Sequence, residues 1–193
     1  MPIGNKDLQQ CADAVMHLRA KYLFKNQLRG NIHFTLTNGF RADYGKWAEG
    51  YRITISGNKA QWERTALPDT SYATFCDYME FIYTYCGTLS LSEELTQVNY
   101  EELQPGDVLI KGGAPGHAEI VMDVAQNRKG EKVYLLAQSY MPAQEIQVLA
   151  NPQNKTLSPW YELRSNESKI VTPEWEFDSG QLKRFEDVAK ARY

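Results

Sequence analysis

Pro105-Gly106-Asp107-Val108-Leu109-Ile110, then Gly112-Gly113-Ala114-Pro115-Gly116-His117, then Ala118-Glu119-Ile120-Val121-Met122-Asp123-Val124, is the stretch that decides the fold class. A Pro-Gly-Asp turn leads into an apolar strand near 107–111. A Gly/Pro loop follows, and a second strand over 117–125 opens on His117. The loop leaves an imidazole at a strand mouth, a position suited to a catalytic base. A third strand is expected over 132–138, with Gln126-Asn127-Arg128-Lys129-Gly130 as the hairpin loop, and Glu145 to Leu149 reads as a further short strand.

Upstream, residues 6–27 read as an amphipathic helix. Leu8, Cys11, Ala12, Val15, Leu18, Tyr22 and Leu23 recur at three- and four-residue steps. On that stripe Cys11 reads as a small core residue. Asn31 to Thr37 alternates as a half-buried strand, and 41–49 as a short helix or loop carrying Tyr44 and Trp47. Tyr51 to Ser56 and Gln61 to Ala66 read as two strands around Gly57-Asn58. Pro68-Asp69-Thr70-Ser71 breaks the chain and caps a helix running to about Cys86, with Gly87 behind it. Ser90 can cap a short helix through Leu95. Residues 150–175 read as irregular, and Gln181 to Arg192 as a terminal helix. Helix, strands, helix, then a strand meander is the order of an α+β domain. With no internal repeat and no linker, residues 1–193 read as a single domain.

The totals narrow the function. The chain has 193 residues and a net charge of -3, which gives no electrostatic footprint for nucleic acid. Lys183, Arg184, Lys190 and Arg192 alternate with Glu186 and Asp187, as on a solvated helix face. No apolar run is long enough to span a bilayer, and Met1-Pro2-Ile3-Gly4 does not open a signal peptide. Cys11, Cys76 and Cys86 show neither metal-ligand spacing nor a disulfide framework. His17 and His33 are isolated, so no metal or cofactor is expected.

The chemistry-bearing residues follow from what a thiol nucleophile needs: a helix start or a neighbouring imidazolium to favour the thiolate, and an oriented base. Cys76 lies in the early turns of the Ser71–Cys86 helix and is the expected nucleophile. His117 is the expected general base, and Gln138, in Leu135-Leu136-Ala137-Gln138-Ser139-Tyr140, the residue that fixes its tautomer. Against this stands a reading in which Cys76 is an unreactive helix residue, His117 caps a loop and Gln138 satisfies a strand edge. Trp47, Arg52, Tyr140 and Trp160 are candidate ligand contacts lining a groove. The competing reading makes the aromatics covers for the core and Arg52 half of a surface ion pair.

The whole chain resembles a bacterial family catalogued as domain of unknown function 4846. The matching stretches are Asp7-Leu8-Gln9-Gln10-Cys11-Ala12-Asp13-Ala14-Val15-Met16, Thr37-Asn38-Gly39-Phe40, Gly87-Thr88-Leu89-Ser90-Leu91, Pro115-Gly116-His117, Ala137-Gln138-Ser139-Tyr140-Met141-Pro142-Ala143-Gln144 and Ser158-Pro159-Trp160-Tyr161. Members usually carry a further N-terminal region and often an export or lipoprotein signal. The resemblance therefore implies a missing N-terminal region and an exported, cell-envelope setting, and it brings no activity with it. Residues 69–140 are more distantly similar to the NlpC-type and CHAP-type branches of the papain-like peptidases, which cleave peptidoglycan. The shared order is a helix ending Tyr85-Cys86-Gly87, then Leu103-Gln104-Pro105-Gly106-Asp107-Val108, then His117, then a polar residue on the next strand. Those branches carry cysteine in a turn at the helix start, where this chain has Asp69-Thr70-Ser71. The similarity implies a papain-like sheet meander packed against an N-terminal and a central helix. It implies hydrolysis of peptide or amide bonds, with a peptidoglycan-derived peptide or glycan as partner. The alternative is a catalytically inactive binding or structural domain of the same fold.

Overall fold

The computed structural model describes residues 7–164 and 167–186. In chain order the strands are β1 (His33–Thr35), β2 (Arg41–Asp43), β3 (Tyr51–Ser56), β4 (Lys59–Arg64), β5 (Thr96–Gln97), β6 (Val108–Lys111), β7 (His117–Gln126), β8 (Lys132–Gln138), β9 (Gln147–Val148), β10 (Tyr161–Glu162), β11 (Lys169–Val171), β12 (Glu176–Asp178) and β13 (Leu182–Arg184). The helices are α1 (Cys11–Lys25), α2 (Tyr44–Ala48), α3 (Tyr72–Tyr85) and α4 (Thr88–Glu94). The fold class is α+β with antiparallel sheets. The main sheet runs β10-β8-β7-β6-β13-β5, with β9 on the far side of β8, and three two-stranded ribbons surround it.

Alternation along the central strands builds two cores. Val108 and Ile110 of β6, Ala118 and Ile120 of β7 and Ala137 of β8 face the helices, joining Val15 and Met16 of α1 and Phe75, Tyr78 and Ile82 of α3. Leu109, Val121, Tyr134, Leu136 and Leu182 face the other way, onto Ile170 and Phe177 of the β11–β12 ribbon. Ser71 caps α3 by accepting from Thr74 N–H, and Asp69 accepts from the Ser71 N–H and hydroxyl at 2.8 Å each.

Two sequence expectations are corrected. The terminal helix over 181–192 gives way to strand β13, which sits between β6 and β5 and sets Leu182 opposite Leu109. Burial of Leu182 and the edge left open on β6 outweigh the helical charge pattern. The part of that helix from 187 onward lies outside the described residues. The first helix begins at Cys11, not at residue 6. Asp7 to Gln10 form a turn instead, closed by Gln10 N–H on Leu8 O at 3.1 Å.

Candidate functional site

The late start of α1 changes the standing of Cys11. A helix opening at Cys11 places that thiol in the first turn, where backbone N–H groups lack intrahelical partners and the dipole favours negative charge. The acidic partner of this start is Asp13, whose Oδ2 accepts the Gln10 N–H at 3.0 Å. Burial pushes the Asp13 carboxyl up to about 7, with the Gln10 N–H drawing it back. α1 packs on β7 and β8, bringing its first turn to the strand that opens with His117.

His117 and Glu119 project from one face of β7, and Gln138 ends β8 beside them, one step beyond the Ile120–Ala137 pair. Gln138 is oriented by its own neighbour: its Nε2 donates to Glu174 Oε2 at 2.7 Å. Its Oε1 therefore faces the imidazole and accepts from His117 Nε2 at 2.6 Å. That bond fixes the Nε2–H tautomer and leaves Nδ1 as the acceptor nitrogen, and Cys11 lies near enough to the ring to favour its protonated form. Burial pulls the imidazole down, but the neighbouring Cys11, the Glu119 carboxyl at 3.6 Å and the Gln138 bond outweigh it and hold the ring up at about 9. Trp175 lies over it at 5.2 Å between centroids, Tyr140 meets it edge-on at 5.3 Å and Phe177 stacks at 6.1 Å. These rings keep water from the His117–Gln138 bond, and His117 is only 2% exposed.

Cys11, half-buried, opens into a cleft of about 440 Å³. One wall is the start of α1 with Asp7, Leu8 and Gln10, and the other is the Gly113–Gly116 loop, with Met141 between. Thr88 pins the loop by donating to Gly113 O at 3.1 Å. Gly116 is required there by close approach: a Cβ would lie 2.4 Å from Gly113 O and 2.9 Å from Lys111 O. Gly116→Ala is therefore expected to displace the loop beside His117 and to cost about 1–3 kcal/mol, read as a lowered urea midpoint.

The sequence-predicted residues separate into two groups. His117, Gln138 and Tyr140 come together. Cys76 is not among the groups around His117: it is exposed on α3, with Tyr72, Asp77 and Lys21 as neighbours, and partial burial pushes its thiol up. The thiol on the His117 side is Cys11, half-buried where the sequence reading expected a core residue. Trp47 is buried against Tyr78 and Phe81. Arg52 stacks on Trp47 and donates to the Trp47 and Tyr51 carbonyls, at 2.8 and 2.7 Å. Trp160 lies beside β10, its carbonyl accepting from Asn151. These three have structural contacts away from the cleft. Glu119, Glu174 and Trp175 were missed: Glu119 sits in an apolar strand run, and the other two lie in a segment read as irregular. Among the described residues no group of three or more His, Cys, Asp or Glu is placed to hold a metal, and no helix is long and apolar enough to cross a membrane.

Compared with known proteins, residues 1–184 match the family model described as domain of unknown function (4846), and the chain belongs to that family. No curated protein and no solved structure matches it.

Proposed function

We propose that this member of the family is a cysteine hydrolase of peptide or amide bonds with a papain-like arrangement: Cys11 the nucleophile, His117 the base and then acid, Gln138 the orienting residue. The observation that carries this reading is the buried His117–Gln138 bond, which holds the imidazole as the Nε2–H tautomer, with Cys11 beside the ring in the first turn of α1. The Cys11 sulfur attacks the substrate carbonyl carbon after its proton passes to His117 Nδ1. The oxyanion forms beside the helix start, where the Cys11 and Ala12 N–H groups precede the first intrahelical donor, Ala14 N–H on Gln10 O. His117 then gives the proton to the departing amine. A water deprotonated by the same ring cleaves the thioester, regenerating the thiol and releasing the acid. The order cysteine, histidine, amide along the chain is that of the NlpC-type and CHAP-type hydrolases, so cell-wall muropeptides are the first substrates to test.

Wild-type protein is expected to release peptide or amine from muropeptides, and His117→Ala to abolish release. Release undiminished in His117→Ala would overturn the mechanism, and muropeptide binding with no product from the wild type would replace it with a binding module. The alkaline side of the pH profile is also expected. His117 must be protonated to serve the leaving amine, so kcat/KM falls as pH rises through about 9. The same shift acts on stability. An imidazole raised from 6.5 to about 9 stabilises the folded chain fully below pH ~6.5, and that contribution, on the order of 3 kcal/mol, is lost as pH rises through about 9. Urea midpoints across that range check the sign.

A further inference from the structure

Glu119 is fully buried, on the same face of β7 as His117. Its Oε1 accepts from the Thr172 hydroxyl at 2.7 Å and lies 3.6 Å from His117 Nε2. Its Oε2 is buried with no hydrogen-bond partner. A carboxylate taken wholly out of water is costly unless a cation answers it. Among the described residues, the one cationic side chain within ion-pair distance of Glu119 is His117. Other groups around the pair come from every neighbouring element. Cys11 meets the ring from α1, and Glu174 reaches it through Gln138. Tyr161 feels the Glu119 charge from β10. Lys111, opposite His117 on β6, has its ammonium 6.0 Å from the Trp175 ring centroid. The hydrolase reading uses Gln138 to orient the ring but gives Glu119 no part.

We propose that Glu119 is a positioning residue that sets the charge of the site: its buried carboxylate stabilises the imidazolium that His117 becomes when Nδ1 takes the Cys11 proton. The step moves one proton from sulfur to nitrogen and makes or breaks no other bond. Gln138, a neutral amide, fixes the tautomer but supplies no countercharge; Glu119 supplies it from the second position around Nε2. Burial raises the Glu119 carboxyl, and the nearby His117 and the Thr172 hydroxyl pull it back, which ties the protonation of the two groups together. Thr172 is the latch. Its hydroxyl holds Oε1 on the ring side, and its oxygen is itself fixed by accepting from Trp175 N–H at 3.2 Å. The covering indole and the countercharge are therefore mounted on one turn.

This inference rests on the cysteine reading, and the experiment separates the two. Glu119→Gln keeps the shape and the contact to Thr172 while removing the charge. In NMR titrations of the His117 ring, its midpoint is expected to fall by about one unit or more, and iodoacetamide alkylation of Cys11 at neutral pH to slow roughly tenfold. Thr172→Val, a milder change, is expected to move both readouts in the same direction by less, and it keeps the test open if Glu119→Gln does not fold. A purely structural Glu119 would lower the melting temperature without moving the midpoint. Unmoved midpoints in folded variants would overturn the inference while leaving the hydrolase reading intact. Wild-type Cys11 alkylated no faster than glutathione would overturn the cysteine reading, and this inference with it.

Discussion

Cys11→Ala is expected to reduce turnover to background, a loss of roughly 10⁴- to 10⁶-fold, whereas Cys76→Ala leaves kcat/KM unchanged. The contrast follows from two thiols in opposite surroundings. Cys11 stands in the first turn of a fifteen-residue helix, near an imidazole whose Nε2 is held by Gln138 at 2.6 Å. Cys76 is exposed on α3, and partial burial together with the Asp77 charge pushes its thiol up. Cys86 is a third distinct case: its thiol donates to Thr35 O at 3.4 Å, and burial pushes it far above the usual thiol range. Turnover assays on the three single variants check the assignment; activity retained in Cys11→Ala would remove the nucleophile.

The largest effect on stability is expected at Arg184. Asp107 is fully buried, and Arg184 grips both of its oxygens, Nε to Oδ1 at 2.6 Å and a terminal nitrogen to Oδ2 at 2.8 Å. Gln104 N–H completes the shell at 2.9 Å. Arg184→Ala leaves that carboxylate without its cation and is expected to cost about 3–5 kcal/mol, measured by urea unfolding at neutral pH. Combining it with Asp107→Asn is expected to cost less than the sum of the two single changes, because the unpaired charge is then gone. The pair joins β13 to the turn before β6, and β6 pairs with β7 up to His117. Loosening it should therefore loosen the site as well, and a fall in turnover at temperatures below the melt reads that out.

The fold was legible where the pattern is local. The helix from Tyr72 to Tyr85 and the strands β3, β6, β7 and β8 follow from periodicity and from Gly, Pro and Asn turns. What could not be read was set by partners distant in the chain. Leu182–Arg184 is a strand because β6 and β5 offer edges on either side. Segments within 150–175 that looked irregular contribute β10 and β11, and that stretch carries the Glu174 and Trp175 that close the site. The His117–Gln138 contact is legible because a loop-edge histidine and a polar residue ending an apolar strand are visible in one dimension. The start of α1 at Cys11 is hidden in the sequence for a specific reason. The spacing of Cys11 continues the apolar stripe of α1, so a helix extended back to residue 6 absorbs it. The signal was present but weak: Asp13 stands three residues after Gln10, as an acid does at the third position of a helix, yet glutamine is a poor cap and invites no boundary there.

The central claim is that Cys11 and His117 form one reactive pair. Site-resolved alkylation tests it most directly: brief exposure of the folded protein to iodoacetamide at neutral pH, with the modified peptides quantified by mass spectrometry, in the wild type and in His117→Ala. The account predicts that Cys11 is labelled ahead of the more exposed Cys76, and that the preference disappears in His117→Ala. Labelling of Cys76 first, or labelling of Cys11 at the same rate with and without His117, would contradict it.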